Sequence, residues 1–227
     1  MESFDFSQYQ NRTSESVAQI VRGETALESI LELLQQVADD AETHIEQHPG
    51  DRSMIDCGPG CSSCCVVNVS TLLPEGFAIA RYLNQQGEES VQQAAQRLDK
   101  LWCEVRGLDD DDRMFVRRPC AFLDAQGCCS IYPVRPLLCR SITSTAAENC
   151  HDALTGKILG EETTVLMHQF QHDLYETLFI VFSTGLEQLG VDGRSFELAG
   201  LIRYLLRHPE AEGEWLAGRH LTWQDIY

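Results

Sequence analysis

Residues 57–65 read Cys57-Gly58-Pro59-Gly60-Cys61-Ser62-Ser63-Cys64-Cys65. Residues 119–140 contain Pro119-Cys120-Ala121-Phe122-Leu123, then Cys128-Cys129-Ser130-Ile131-Tyr132, then Arg135-Pro136-Leu137-Leu138-Cys139-Arg140. Glycine and proline between the first cysteines let the backbone bend tightly, so several thiolates can face one point without strain. The Ser62-Ser63 spacer has the CxxC form that zinc knuckles and iron–sulfur loops share. In the second stretch, Phe122-Leu123 and Cys129 to Tyr132 flank Asp124-Ala125-Gln126-Gly127, the pattern of a short β-hairpin with glycine at its turn. Pro133 and Pro136 stop the second strand. Cys120, Cys129 and Cys139 then fall at the base of the hairpin, on its strand and just past its end, where the hairpin carries them back toward the first loop.

The rest of the chain frames this region. All ten cysteines lie between Cys57 and Cys150, within a protein of 227 residues. Residues 1–56 carry a net charge of −9, residues 57–150 of −2 and residues 151–227 of −7, for −18 overall. So acidic a chain lacks the basic footprint of a nucleic-acid binder and is repelled by anionic membrane surfaces. No apolar run approaches the ~18 residues of a membrane span, and Met1-Glu2-Ser3-Phe4-Asp5-Phe6 has no basic and apolar export signal. The expectation is a soluble, cytoplasmic protein with no nucleic-acid or membrane partner and no protein partner assigned. In a reducing compartment, clustered cysteines bind metal or do redox chemistry more often than they form a disulfide framework.

Helical signals surround the cysteines. Val17, Ile20, Val21, Leu27, Ile30, Leu31, Leu34, Val37 and Ala41 recur at three- and four-residue steps, the stripe of one long amphipathic helix stopped at His48-Pro49-Gly50. Pro74 and Glu75 open a helix reaching Leu83, and another spans about Glu89 to Val105. Asp109 to Asp112 reads as a solvated linker. Leu166, Phe170, Leu174, Leu178, Phe182 and Leu186 mark a C-terminal helix, and a last one runs from Ser195 to Arg207. The fold class is therefore α+β and predominantly α. An acidic helical flank (1–56) and a second helical flank (151–227) surround a cysteine-rich metal-binding module (57–150) built on a β-hairpin.

The two motifs, CxxxCxxCC and PC-FL…C-SIY-x-x-RP-x-x-CR, resemble the bacterial zinc- or iron-chelating cysteine-cluster proteins of the YkgJ type. That family opens on CxxCxxCC, so this chain has one extra residue after Cys57. Position by position, the resemblance implies a ligand set of Cys57, Cys61, Cys64, Cys65, Cys120, Cys129 and Cys139, binding Zn or Fe, with an iron–sulfur cluster as one form. One tetrahedral Zn²⁺ or one [4Fe–4S] cluster uses four thiolates and leaves three spare, whereas two tetrahedral ions use all seven if one thiolate bridges. Seven thiolates and two divalent ions leave a charge of −3 that must be compensated when buried. Arg135 and Arg140 supply positive charge from beside the site, with Arg113, Arg117 and Arg118 upstream.

Other residues read as ordinary structure. Cys103 and Cys150 are expected to be small buried hydrophobes, and Cys128 to face away from Cys129 on the strand. His168, His172 and Glu176 share a helix face at metal-site spacing, and His151 adjoins Cys150, but exposed polar residues are the commoner explanation. Tyr132 is expected to pack against the cluster. The function expected is metal binding at a structural or redox site. A metal-dependent oxidoreductase or protein-modifying enzyme with an open coordination position, and an acidic interaction protein with a zinc-stapled core, remain as alternatives.

Overall fold

The computed structural model describes residues 4–20, 26–48, 52–159 and 163–226. Its helices in chain order are α1 (Phe6–Ala18), α2 (Ala26–Gln47), α3 (Leu73–Gln85), α4 (Glu88–Val105), α5 (Asp110–Val116), α6 (Leu137–Ser141), α7 (Ala147–Leu159), α8 (Gln169–Leu189), α9 (Leu198–Leu205), α10 (Ala211–Leu216) and α11 (Trp223–Ile226). Two short strands, β1 (Ser70–Leu72) and β2 (Ser195–Glu197), pair antiparallel with Ser70 opposite Glu197, Thr71 opposite Phe196 and Leu72 opposite Ser195. The architecture is mostly helical with a small antiparallel sheet. No helix among the described residues is long and apolar enough to cross a membrane.

The apolar stripes are buried in two clusters. In one, Phe77, Leu98, Trp102, Leu201, Ile202 and Trp215 draw α3, α4, α9 and α10 together, with Leu27 and Ile30 added from α2. In the other, Tyr9, Val17, Leu34, Leu174, Leu178 and Phe182 join α1, α2 and α8, with Leu137 from the short helix carrying Cys139. Each cluster mixes residues from before position 57, from the cysteine region and from beyond position 150. At roughly 25 cal/mol per Å² of apolar area, such burial is the main force holding the helices together.

Local rules account for where the elements depart from the sequence reading. The single N-terminal stripe divides into α1 and α2. Val21 and the Pro49-Gly50 stop lie outside the described residues. The acidic run expected as a linker forms α5. Asp109 caps it by accepting the Asp112 N–H at 2.9 Å, and three carboxylates in the first turn favour the positive end of the dipole. The hairpin expected at 122–132 is reduced to a single bridge between Leu123 and Cys129. The sheet instead joins Ser70–Leu72 to Ser195–Glu197, two stretches over a hundred residues apart in sequence. That pairing takes Ser195 to Glu197 out of the expected helix, and Glu197 caps α9 by accepting the Gly200 N–H at 2.9 Å.

The α1–α8 contact is close enough to require glycine. A Cβ at Gly185 would lie 2.5 Å from Val17 Cγ1 and 3.1 Å from its Cβ. Gly185→Ala is expected to lower stability by about 1–3 kcal/mol through overpacking. Gly213→Ala, with open space around it, is expected to be neutral or to stabilise by about 0.5–1 kcal/mol through helix propensity. Urea denaturation of the two variants measures the difference.

Candidate metal centre

Two glycine turns bring the cysteine stretches into contact. In the first, Gly60 takes φ 88°, the Cys61 N–H donates to Gly58 O and the Cys65 N–H to Ser62 O, both at 3.0 Å. In the second, Asp124 Oδ1 accepts the N–H groups of Gln126 and Cys128 at 2.8 Å, and Gly127 turns the chain at φ 76°. The turns meet tip to tip. A Cβ on Gly127 would stand 3.0 Å from Gly60 O and 3.6 Å from Ser62 Oγ. At the base, the Cys120 N–H donates to Cys65 O at 2.7 Å. Glycine is thus needed both for the turn and for the close approach.

Several thiols of the two stretches interact electrostatically across this junction. Cys65 lies within electrostatic reach of Cys64, Cys120 and Cys139. Cys139, in α6, lies within reach of Cys120, Cys64 and Cys129. Cys57 neighbours Cys61, Cys64 and Cys150, and its Sγ accepts the Ser144 N–H at 3.1 Å. Cys64, Cys65, Cys120, Cys129 and Cys139 thus interact across the junction, whereas Cys57 and Cys61 interact with one another and Cys57 with Cys64 on the first stretch. As they stand, no three His, Cys, Asp or Glu side chains among the described residues form a ready-made metal site.

The chemistry of the donors fits a cation. Burial pushes the Cys120 thiol up to about 11 and also raises Cys139, Cys129 and Cys57. Cys64 and Cys65 share a hydrogen bond that pulls Cys64 down to about 6 and pushes Cys65 up. Buried thiols facing one another resist joint ionisation, and a metal ion among them removes that resistance.

Positive charge lies where it is needed. Arg135 faces Cys64, Cys129 and Cys139 electrostatically, with its guanidinium 4.3 Å from the Tyr132 ring centre. Arg113 is 2% exposed and faces Cys120, and its guanidinium donates to Arg118 O at 2.6 Å. Arg140 acts differently, bracing the backbone of the second stretch. It donates to Arg135 O at 3.0 Å, to Pro133 O at 2.9 Å and to Glu42 at 3.2 Å. Arg117 reaches Thr155 Oγ1 and Arg118 pairs with Glu104.

Several expected placements change. Tyr132 is 58% exposed and stacks with Arg135 instead of packing on the cluster. Cys103 is exposed on α4, not buried. His168 caps α8, its Nδ1 accepting the Gln171 N–H at 3.1 Å, while His172 sits 3.2 Å from both Asp173 and Glu176. His151 is exposed beside Asp152.

Glu75 was legible only as a helix-opening carboxylate, yet it positions Cys139. It is 3% exposed and accepts the Leu72 N–H at 2.7 Å and the Leu137 N–H at 2.6 Å, so it ties the start of α6 to the start of α3. A cavity of about 40 Å³ between Glu75, Arg135, Arg140 and the α2 residues Leu34 and Gln35 has room for water.

Burial pushes the Glu75 carboxyl up to about 7, against the pull of its two N–H donors and Arg140. The unfolded carboxyl ionises near 4.5, so between these values the folded state holds the extra proton. Wild-type stability relative to Glu75→Gln is therefore expected to fall as pH rises from about 4.5 to about 7, by roughly 3 kcal/mol in total. Denaturation midpoints of both proteins across that range give the difference, and parallel curves would contradict it.

Comparison with curated proteins and with solved structures finds no match. Residues 56–159 match a family model named CxxCxxCC and described as "Putative zinc- or iron-chelating domain". That span starts one residue before Cys57 and runs to the end of α7. The model matched over residues 56–159 is that of the family which the cysteine motifs resemble.

Proposed function

We propose that residues 57–150 form a thiolate metal centre of zinc or iron whose role is structural. Cys57, Cys61, Cys64, Cys65, Cys120, Cys129 and Cys139 are its ligands in this reading. The observation that carries it is the junction at which the Cys120 N–H meets Cys65 O, with Cys64 and Cys65 within electrostatic reach of Cys139 and Cys65 of Cys120. The backbone has already closed the long loop between the two stretches, so an ion would not have to bring them together from afar. When bound, the ion supplies fixed positive charge that keeps the thiolates ionised. Arg135 and Arg113 offset the remaining negative charge from beside them. Metal binding adds to folding free energy, since the unfolded chain has no preformed site. Seven thiolates suit a dinuclear arrangement or an iron–sulfur cluster with thiolates to spare. A reducing, cytoplasmic setting belongs to the same reading, because such a compartment keeps clustered thiols available to a metal.

Protein purified without oxygen or chelator is expected to carry at least one zinc or iron per chain by elemental analysis. Visible charge-transfer bands identify iron–sulfur, and a colourless zinc-loaded protein identifies a d¹⁰ centre. Less than one metal per chain would overturn the reading. Cys120→Ser and Cys139→Ser are expected to release metal and to unfold at clearly lower temperature. Cys103→Ser, on an exposed face, is expected to stay within about 0.5 kcal/mol of wild type.

A further inference from the structure

We infer that the cleft between α2, α3 and α6 binds a small monocarboxylate of about acetate size, held by Arg135 and Arg140 and facing the Glu75 carboxyl. The inference stands apart from the metal-binding reading and gives the chain a second kind of ligand.

The cleft has a charged floor and an aliphatic wall. Glu75, Arg135 and Arg140 line one side. Leu31, Leu34 and Ala38 line the other from a single face of α2, and Ala78 of α3 lines it as well. The cavity measures about 40 Å³. One water needs roughly 10–15 Å³, so the space takes about three waters, or the three heavy atoms of a carboxylate group. The short alkyl end of such an anion then rests on the aliphatic wall.

The groups that recognise a carboxylate are already in place. Arg140 is 7% exposed and is fixed by its bonds to Arg135 O, Pro133 O and Glu42, so its charge stays beside the cleft. Glu42 is largely exposed, and solvent screens its side of that pair. Arg135 Nε is buried with no hydrogen-bond partner. A buried donor in that state costs free energy until an acceptor meets it. A guanidinium presents two N–H groups in one plane to a carboxylate, and its five donors let Arg135 serve the nearby thiols as well.

Glu75 would repel a second carboxylate if both were ionised. Burial pushes its carboxyl up to about 7, against the pull of the Leu72 and Leu137 N–H groups and of Arg140. In the protonated state its O–H donates to the bound anion, and two carboxylates share one proton. The charged groups that line the cleft with it are Arg135 and Arg140, and Glu42 of α2 reaches it only through Arg140.

Equilibrium dialysis of the full-length, as-purified protein against isotope-labelled acetate tests this. One acetate per chain is expected, bound about tenfold more weakly at pH 8 than at pH 6 because Glu75 loses its proton between them. Arg135→Gln is expected to weaken binding about tenfold or more. Ala78→Leu, at a half-buried position on the cleft, is expected to abolish binding in a protein whose circular dichroism is unchanged. Glu75→Gln, an uncharged stand-in for the protonated acid, is expected to bind equally at both pH values. Acetamide is expected not to displace acetate, and chloride to do so only at far higher concentration. No retained acetate at pH 6, equal binding by wild type at both pH values, or displacement by chloride and acetate alike would overturn the inference. So would undiminished binding in both Arg135→Gln and Ala78→Leu. Elemental analysis of the same samples reads the metal separately, so a chain that holds acetate without metal overturns only the metal-binding reading.

Discussion

The hydrogen bond from the Cys120 N–H to the Cys65 carbonyl closes a loop that the chain leaves at position 65 and re-enters more than fifty residues later. Closing such a loop costs roughly 3–4 kcal/mol of chain entropy in addition to a constant. One hydrogen bond, with a net value of about 1 kcal/mol, cannot offset that. The excursion itself supplies the rest. Helices α3 and α4 leave from Cys65, bury Phe77, Leu98 and Trp102 against α9, and return through α5 to Cys120. The two cysteine stretches meet because an apolar core built elsewhere brings their backbones together. Glu75 then fixes the approach of the last segment by holding the Leu137 N–H and the Leu72 N–H with one buried carboxylate.

The even charge of the cysteine region within an acidic protein has a local explanation. Arg135 and Arg113 stand beside sulfurs, where a fixed cation counts most. Arg140 satisfies backbone carbonyls that the turn after Tyr132 would otherwise leave without a donor. Elsewhere, ion pairs such as Arg81 with Glu28 and Glu212, or Asp99 with Arg203 and Arg207, are partly exposed. Solvent screens them, so each contributes little. The basic residues that matter for the centre are the few beside the thiols, not the majority on the surface.

How far the sequence revealed this depends on range. Helix α3 was legible because Pro74 and Glu75 are local signals, and α4 because its apolar spacing is sustained over five turns. The turn at Gly127 was legible for the same reason. The pairing of Ser70–Leu72 with Ser195–Glu197 was not, since neither segment carries a strand signal and only the tertiary fold brings them together. The acidic run at 109–112 was misread because four adjacent carboxylates look solvated, yet at a helix start the same charges are favourable. Cys103 beside Trp102 suggested burial, but they are consecutive on a helix and point about 100° apart, so Trp102 enters the core while Cys103 faces out. The closeness of Cys150 to Cys57 depends on Asp56 bonding the entrance of α7, a contact that no spacing rule encodes.

A neutral thiol is a small hydrophobe and a thiolate is a buried anion, and the centre is built so that either state has support. Without added charge, burial favours the neutral form at Cys120, Cys129 and Cys139, and Cys120 and Cys129 pack against the apolar cluster that holds Phe122 and Ile131. In the proposed centre a divalent cation would favour the thiolate form at these positions, and the nearby Arg113 and Arg135 would offset the added negative charge. The helical cores do not depend on which state is present, because Phe77, Trp102, Leu174 and Phe182 bury themselves without any sulfur. The difference falls on the two glycine turns and on α6, which carry the cysteines. In the proposed centre, metal binding would therefore act as a clamp on one region of a fold whose helices are already held by apolar packing.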